Sequence, residues 1–232
     1  MLKLLIFPAG YDQPSISPFC TKTMLLLRLS GVEHTVRSGN PQSSPTGKLP
    51  CLKHDNGVVP DSGQIQAWLK ENRGVDLDAE LTDAQRATAH LIRRTLEENF
   101  YWVLVYSRWI DAEGWVFQKP VLKAIVPSAL GWFLPSVLRR GLRKTLRAHG
   151  IGRHGQERIY TLGAADVTAI EALIEGPFVF GETLTTADIN VYAFIGGVLA
   201  NPADSAIRRA AENAPKVVAL CEAVKAKYDA KA

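Results

Sequence analysis

Five of the six residues in "LKLLIF" (Leu2–Phe7) are apolar, and Pro8 stops the run. That is the pattern of a short strand buried on both faces. After a loop rich in Gly, Pro and Ser, Met24–Leu27 and Leu29 give residues 19–30 a helical period, with Gly31 placed at the left-handed stop position. "VEHTV" (Val32–Val36) alternates like a strand. In "LPCLKHDNGVV" two short apolar runs flank Asp55-Asn56-Gly57, a sequence suited to a tight hairpin. Helical spacing returns in "SGQIQAWLKENRG", where Ile65, Trp68 and Leu69 share a stripe and Gly74 is the stop.

The order strand, helix, strand, hairpin, helix joins a parallel βαβ unit to an antiparallel ββα unit. It predicts a small three-layer α/β domain of thioredoxin-like layout over residues 1–75. Past the polar bridge "VDLDAE" the period is helical only, and residues 82–232 are expected to form an all-α domain. Thr82 with Gln85 reads as a capping box opening a long helix through "NFYWVLVYSRW". Thr185 with Asp188 reads as a second box, with Leu184 and Ile189 as a hydrophobic staple. Other helical runs are expected near residues 120–148, 156–174, 185–200 and 215–228. The apolar window from Pro120 to Leu138 contains Lys123, Pro127 and Pro135, whereas a membrane-spanning helix needs roughly 20 nearly unbroken apolar residues. A bent core helix is predicted there.

Composition narrows the class. With 232 residues, 47% hydrophobic and 22% charged, the chain is ordinary for a folded globular protein. The formal charge of +4 is concentrated: Arg139 to Arg158 holds seven Lys or Arg and one Glu, so the rest of the chain is net acidic. Arg139, Arg140, Arg143, Lys144 and Arg147 fall on one helical face, and Leu134, Leu138, Leu142 and Leu146 on another. Two readings fit this basic helix: a solvated face over a buried leucine stripe, or a contact for an anionic membrane or a partner. Nucleic acid is not expected, because no aromatic–basic interleaving accompanies the charge. Cys20, Cys51 and Cys221 are too widely spaced for a zinc knuckle or a disulfide framework. A reducing, cytoplasmic setting and no metal follow as expectations.

Three short constellations carry candidate chemistry. In "SPFC", Pro18 suits the first helical position and Ser17 the N-cap. The Ser17 hydroxyl either bonds a first-turn amide or helps the helix N-terminus stabilise an anion such as a thiolate. Cys20 is either a small buried hydrophobe or the remaining thiol of a Cys-x-x-Cys-like redox pair. In "GKLPC", Pro50 must lie at a strand edge or bend. Sequence alone favours a trans Leu49–Pro50 bond; a cis bond would turn the Leu49 backbone outward to pair with an extended peptide. Asp61-Ser62 opens the helix after the hairpin. The pair either simply caps it or receives a carboxylate and an ammonium together.

The order and spacing of these motifs resemble the glutathione-binding half of the glutathione transferases, and the Thr185–Asp188 box is similar to the folding motif of their C-terminal domain. "PAGYDQPSISPFC", the abbreviated region before "GKLP", "LEENFYWVLVYSRW" and "LRKTLRAHGIGRHG" resemble the failed-axon-connections and metaxin-like branch, including its bacterial members. The resemblance implies a two-domain transferase fold, a homodimer, and glutathione as cosubstrate held by Lys48, Leu49, Pro50, Asp61 and Ser62. Ser17 falls at its catalytic position, and the acceptor is a small hydrophobic electrophile. Tyr106 is the aromatic-helix residue chosen for the acceptor pocket, because its hydroxyl could meet a leaving group. Omega-type relatives carry Cys where this chain has Ser17, so serine fits conjugation better than mixed-disulfide chemistry. The alternatives are a glutathione-dependent reductase or peroxidase using Cys20, and a non-enzymatic adaptor working through the basic helix.

Overall fold

The computed structural model describes residues 1–126 and 130–231. Strands β1 (Leu2–Ile6), β2 (His34–Ser38), β3 (Cys51–His54) and β4 (Gly57–Pro60) form one sheet in the order β2-β1-β3-β4. β1 and β2 are parallel, with Leu2 opposite His34. β3 runs antiparallel to both β1 and β4, with Cys51 facing Leu5 on one side and Pro60 on the other. β2 begins two residues later than the alternation in "VEHTV" predicts.

Helices α1 (Pro18–Leu29) and α2 (Ser62–Arg73) pack on the sheet. Leu25, Leu27, Ile65 and Leu69 are fully buried there with Leu4 and Leu52. Gly31 and Gly74 take the left-handed stops, with φ of 68° and 66°.

The rest is helical. α3 runs unbroken over residues 83–110, with wider π-type turns at Thr95–Phe100 and Tyr106–Ile110. Its capping box is complete: Gln85 N–H donates to Thr82 Oγ1 at 3.3 Å, and Thr82 N–H to Gln85 Oε1 at 2.9 Å. α4 (Ala112–Ile125) turns back at once, and only glycine fits at 114, where a Cβ would lie 1.7 Å from Ser107 O. α5 (Leu134–His149), α6 (Gln156–Ala172), α7 (residues 186–199), α8 (Ala206–Glu212) and α9 (Pro215–Asp229) follow. At α7 the second box also closes, as Asp188 accepts from Thr185 N and Val179 N, each at 2.7 Å.

Two expectations change here. α8 has no counterpart in the sequence reading, because only Ile207 and Ala211 of its seven residues are buried and its apolar period is faint. The bent core helix expected over 120–138 is replaced by the end of α4 and the start of α5. Pro120 sits inside α4, Pro135 opens α5, and Pro127 lies outside the described residues. The apolar residues of that window are largely exposed, and of the expected leucine stripe Leu138 is exposed while Leu146 is buried. Among the described residues no helix is long and apolar enough to cross a membrane.

The two parts meet along α1, α3 and α7. Phe19 packs edge-on against Tyr101 and Phe194, with ring centroids 5.1 and 5.2 Å apart.

Candidate functional site

Sheet register brings the three constellations together. Because Leu5 pairs with Cys51 and Cys51 with Pro60, the end of β1, the start of β3 and the end of β4 share one edge of the sheet. The loop to Ser17, the Leu49–Pro50 step and Asp61-Ser62 all leave from that edge. Asp61 N–H donates to Pro50 O at 3.2 Å, so the second and third motifs touch. The Leu49–Pro50 bond is cis, which corrects the trans expectation. The trans preference of an X–Pro bond is only about 0.5–1 kcal/mol, so tertiary packing decides it and local sequence does not. Among the described residues, Leu49 makes no backbone hydrogen bond outside the sheet ladder.

Ser17 is the N-cap of α1 by position and by its extended backbone, yet its side chain makes no capping bond. Its neighbour Ser15 does the tethering. Ser15 Oγ donates to Phe7 O at 2.8 Å and accepts from Ser17 N at 3.3 Å, while Thr21 Oγ1 donates to Ser15 O at 3.1 Å. The Ser17 hydroxyl therefore makes no capping bond, and sits half-buried beside the Cys20 thiol at the positive end of a twelve-residue helix.

Cys20 lies one turn below it, 0% exposed. Burial pushes its thiol up to about 11, and hydrogen bonds from the Phe7 backbone and from the Ser17 and Ser15 hydroxyls pull back only in part. A thiol held neutral and inaccessible is a poor nucleophile.

At α2, Asp61 caps with one carboxylate oxygen: Oδ1 accepts from Gly63 N at 2.8 Å and Gln64 N at 3.4 Å. It holds a left-handed backbone, φ 67°, unusual for a non-glycine residue. Ser62 is buried beside it. A cation from α3 stands nearby, since a Cβ on Gly63 would lie 3.5 Å from Arg93 Nη1. Arg93 also faces Glu97 at 3.8 Å. Glu97 in turn pairs with Lys22 of α1, whose Nζ donates to Asn190 Oδ1 at 3.2 Å. Burial lowers the Lys22 pKa in spite of Glu97.

Arg108 is the functional candidate that sequence reasoning missed. Its side chain is buried in α3, where Nη1 donates to Ile16 O at 2.8 Å, one residue before Ser17, and Nη2 to Gly197 O at 2.7 Å. No carboxylate pairs with it among the described residues, and its Nε has no partner. Burial pushes its pKa down to about 10, so it remains cationic at neutral pH. Its guanidinium lies 5.3 Å from the Tyr11 ring. Tyr11 and Asp12 form the tip of a tight turn with φ of 56° and 52°, closed by reciprocal Gly10–Gln13 bonds. Tyr11 OH donates to Gln118 Oε1 of α4 at 3.0 Å, tying the loop to the helical part. A lone Arg seven residues after Tyr101, inside an otherwise apolar helical face, is the signal that could have found it.

Two predicted residues stand apart. Lys48 is exposed on the turn before Leu49. Tyr106 packs edge-on against Tyr160, 5.8 Å between centroids, with Asp111 and Arg143 nearby. Its contacts are toward α5 and α6, away from the Ile16 and Ser17 turn that Arg108 reaches.

A cavity of about 650 Å³ is lined by Leu2, Gly31, Arg73 and Val75 at the opposite end of the sheet. It is remote from all three motifs. A second, about 440 Å³, lies against the Ala9–Pro14 loop and is lined by Gln13, Tyr192 and Lys225. No cluster of three or more His, Cys, Asp or Glu among the described residues is placed to hold a metal.

The family model described as "Glutathione S-transferase N-terminal domain" matches residues 18–114, and "Glutathione S-transferase, C-terminal domain" matches residues 165–231. Isoprene-epoxide–glutathione S-transferase of Rhodococcus sp. (strain AD45) is 29% identical over 238 residues, covering 99% of this chain and 100% of that protein. Failed axon connections of Drosophila melanogaster is 31% identical over 204 residues, 78% of this chain and 46% of that protein. Metaxin-1 of Mus musculus is 26% identical over 211 residues, 85% of this chain and 65% of that protein. Among solved structures, glutathione transferase GSTFuA3 from Phanerochaete chrysosporium has a TM-score of 0.67 at 16% identity, covering 98% of this chain and 96% of that one. A glutathione transferase homolog from sulfitobacter with bound glutathione has a TM-score of 0.59 at 12% identity, covering 99% and 98%.

Proposed function

We propose a function from the premise that this chain belongs to the glutathione S-transferase superfamily, with the metaxins and Failed axon connections among its relatives. It binds glutathione along the Leu49–Pro50 edge, with the γ-glutamyl end at Asp61-Ser62 and the thiol at Ser17, and it transfers the sulfur to a small hydrophobic electrophile. The observation that carries this reading is the Ser17 side chain: an N-cap serine that makes no capping bond can turn its hydroxyl to a ligand.

The chemistry follows from charge. Pro18 has no N–H, so the open donors at the start of α1 are the Phe19 and Cys20 amides together with the Ser17 hydroxyl. Aimed at one sulfur, they favour the thiolate over the thiol. A free thiol titrates near about 8.5, while thiols at helix N-termini fall to roughly 3.5–7.5. Arg108 adds a fixed positive charge behind the turn and holds Ile16, and with it Ser17, in register. The thiolate then attacks an electrophilic carbon: a C–S bond forms, the bond to the leaving group breaks, and the departing oxygen or halide carries away the electron pair. An epoxide is the first acceptor to try, given the substrate named for the Rhodococcus relative.

The Cys20 reductase reading is disfavoured by the burial of that thiol. A homodimer belongs to the same proposal, checked by sedimentation equilibrium.

The deciding experiment is calorimetry with glutathione, followed by conjugation assays with an epoxide and an aryl halide. Glutathione binds, and Ser17→Ala keeps that binding while losing about a hundredfold in kcat/KM, the scale of one lost anion-stabilising donor. Absence of binding heat, or an unchanged rate in Ser17→Ala, contradicts the reading.

A further inference from the structure

Eight of the twelve large apolar side chains exposed among the described residues fall between Val116 and Leu138. Trp132 is 77% exposed and Val137 51%. A folded protein exposes single apolar residues everywhere, but such clustering marks a contact surface. The same part of the chain is unusual in charge: Gly114 to Gln156 contains eight Lys or Arg and no Asp or Glu.

The two features share a face. In α5, Val137, Arg140, Lys144 and Arg147 recur at intervals of three, four and three, and all four are exposed. Leu146 and Pro135 point the other way into the protein. Arg139 is turned inward as well, donating to Trp109 O at 2.7 Å and Ile110 O at 2.9 Å at the end of α3. The outward cations are free: Arg140, Arg143, Lys144 and Arg147 form no ion pair among the described residues. The outer face of α5 is thus apolar at its N-terminal end, continued by Trp132 and Phe133, and cationic along the rest.

We propose that this face docks on an anionic phospholipid bilayer, with Trp132, Phe133 and Val137 at the acyl boundary and Arg140, Lys144 and Arg147 among the headgroups. Charge complementarity selects the occupant. A second copy of this chain meeting the face about a two-fold axis would set cation against cation. An anionic bilayer neutralises the cations and takes up the aromatic end, as interfacial amphipathic helices do. The docked state is a surface one, since no helix among the described residues is long and apolar enough to cross a membrane. The inference does not depend on the transfer reaction.

The test uses the full chain and vesicles of phosphatidylcholine with and without phosphatidylglycerol. Sedimentation with vesicles is expected only when the anionic lipid is present, and it weakens as salt rises. Brominated acyl chains quench tryptophan emission in the bound protein, and Trp132→Phe removes most of that quenching. Arg140→Gln/Lys144→Gln/Arg147→Gln lowers the partition coefficient roughly a hundredfold, with glutathione binding and the thermal transition unchanged because all three side chains are exposed. Absence of sedimentation with anionic vesicles at low salt overturns the proposal, as does a partition coefficient indifferent to the triple substitution. A solution mass that halves in Trp132→Ser also overturns it, by assigning the face to a second copy.

Discussion

Two buried cations join the α/β part to the helices, and they are handled in opposite ways. Lys22 of α1 has a carboxylate, Glu97, and an amide oxygen, Asn190. Arg108 of α3 has two carbonyl oxygens and an aromatic face, with no carboxylate among the described residues and its Nε without a partner. Lys22 is closed off, so its charge serves the fold. Arg108 is electrically incomplete and lies directly behind Ser17, so its charge remains available to an anion there. A protein that needed only a rigid domain contact would gain little from the second arrangement, because an unpaired buried charge is expensive.

Breaking the first region should cost stability above all. Lys22→Met leaves Glu97 buried with only Arg93 at 3.8 Å, and a loss of about 3–5 kcal/mol is expected in urea unfolding. Lys22→Met/Glu97→Leu should recover most of it. A single-variant loss below about 1 kcal/mol would make the two cations equivalent and end the comparison.

Buried thiols test the same environment from the neutral side. The folded-state pKa of Cys20 is about 11 and that of Cys221 about 12, against 9.0 ordinarily. Between about 9 and about 11 the unfolded chain has released protons that the folded chain keeps. Stability therefore falls as pH rises through that window, by up to about 1.4 kcal/mol per unit for each thiol. Cys20→Ala should flatten the slope measured by urea unfolding while leaving conjugation intact. A loss of conjugation would instead restore the redox role for that thiol.

The second region should break in activity before stability. Arg108→Leu leaves Ile16 O and Gly197 O unpaired, at about 1–3 kcal/mol, and conjugation should fall by about two orders of magnitude. Arg108→Lys keeps the charge, loses the fork and should fall between. Equal rates in the Leu and Lys variants would show that charge plays no part. The smallest stability effect is expected at Ser17→Ala: with no capping bond to lose, the change in unfolding free energy should stay within about 0.5 kcal/mol.

Much of the fold was legible because its signals are local. Both capping boxes and the Gly31 and Gly74 stops lie within a few residues and are found where the pattern puts them, and the strand periods give all four strands, with β2 starting two residues late. The site was legible as motifs whose meeting depends on register, which sequence does not carry. Arg108 was missed for the same reason: its two acceptors lie 92 and 89 residues away, so its place on an apolar helical face marked it as buried without saying what it holds. The Tyr11 to Gln118 contact spans 107 residues. Between Pro120 and Leu138 the failure was different, since an apolar run has the same pattern whether another helix covers it or nothing in the chain does.

The central claim is that the start of α1 ionises a bound thiol. The direct measurement is an ultraviolet titration of the glutathione thiolate bound to the wild-type protein and to Ser17→Ala. The account predicts a bound thiol titrating at least one unit below its free value of about 8.5, and a return toward that value in the variant. A bound thiol that titrates like the free one in the wild-type protein would contradict it.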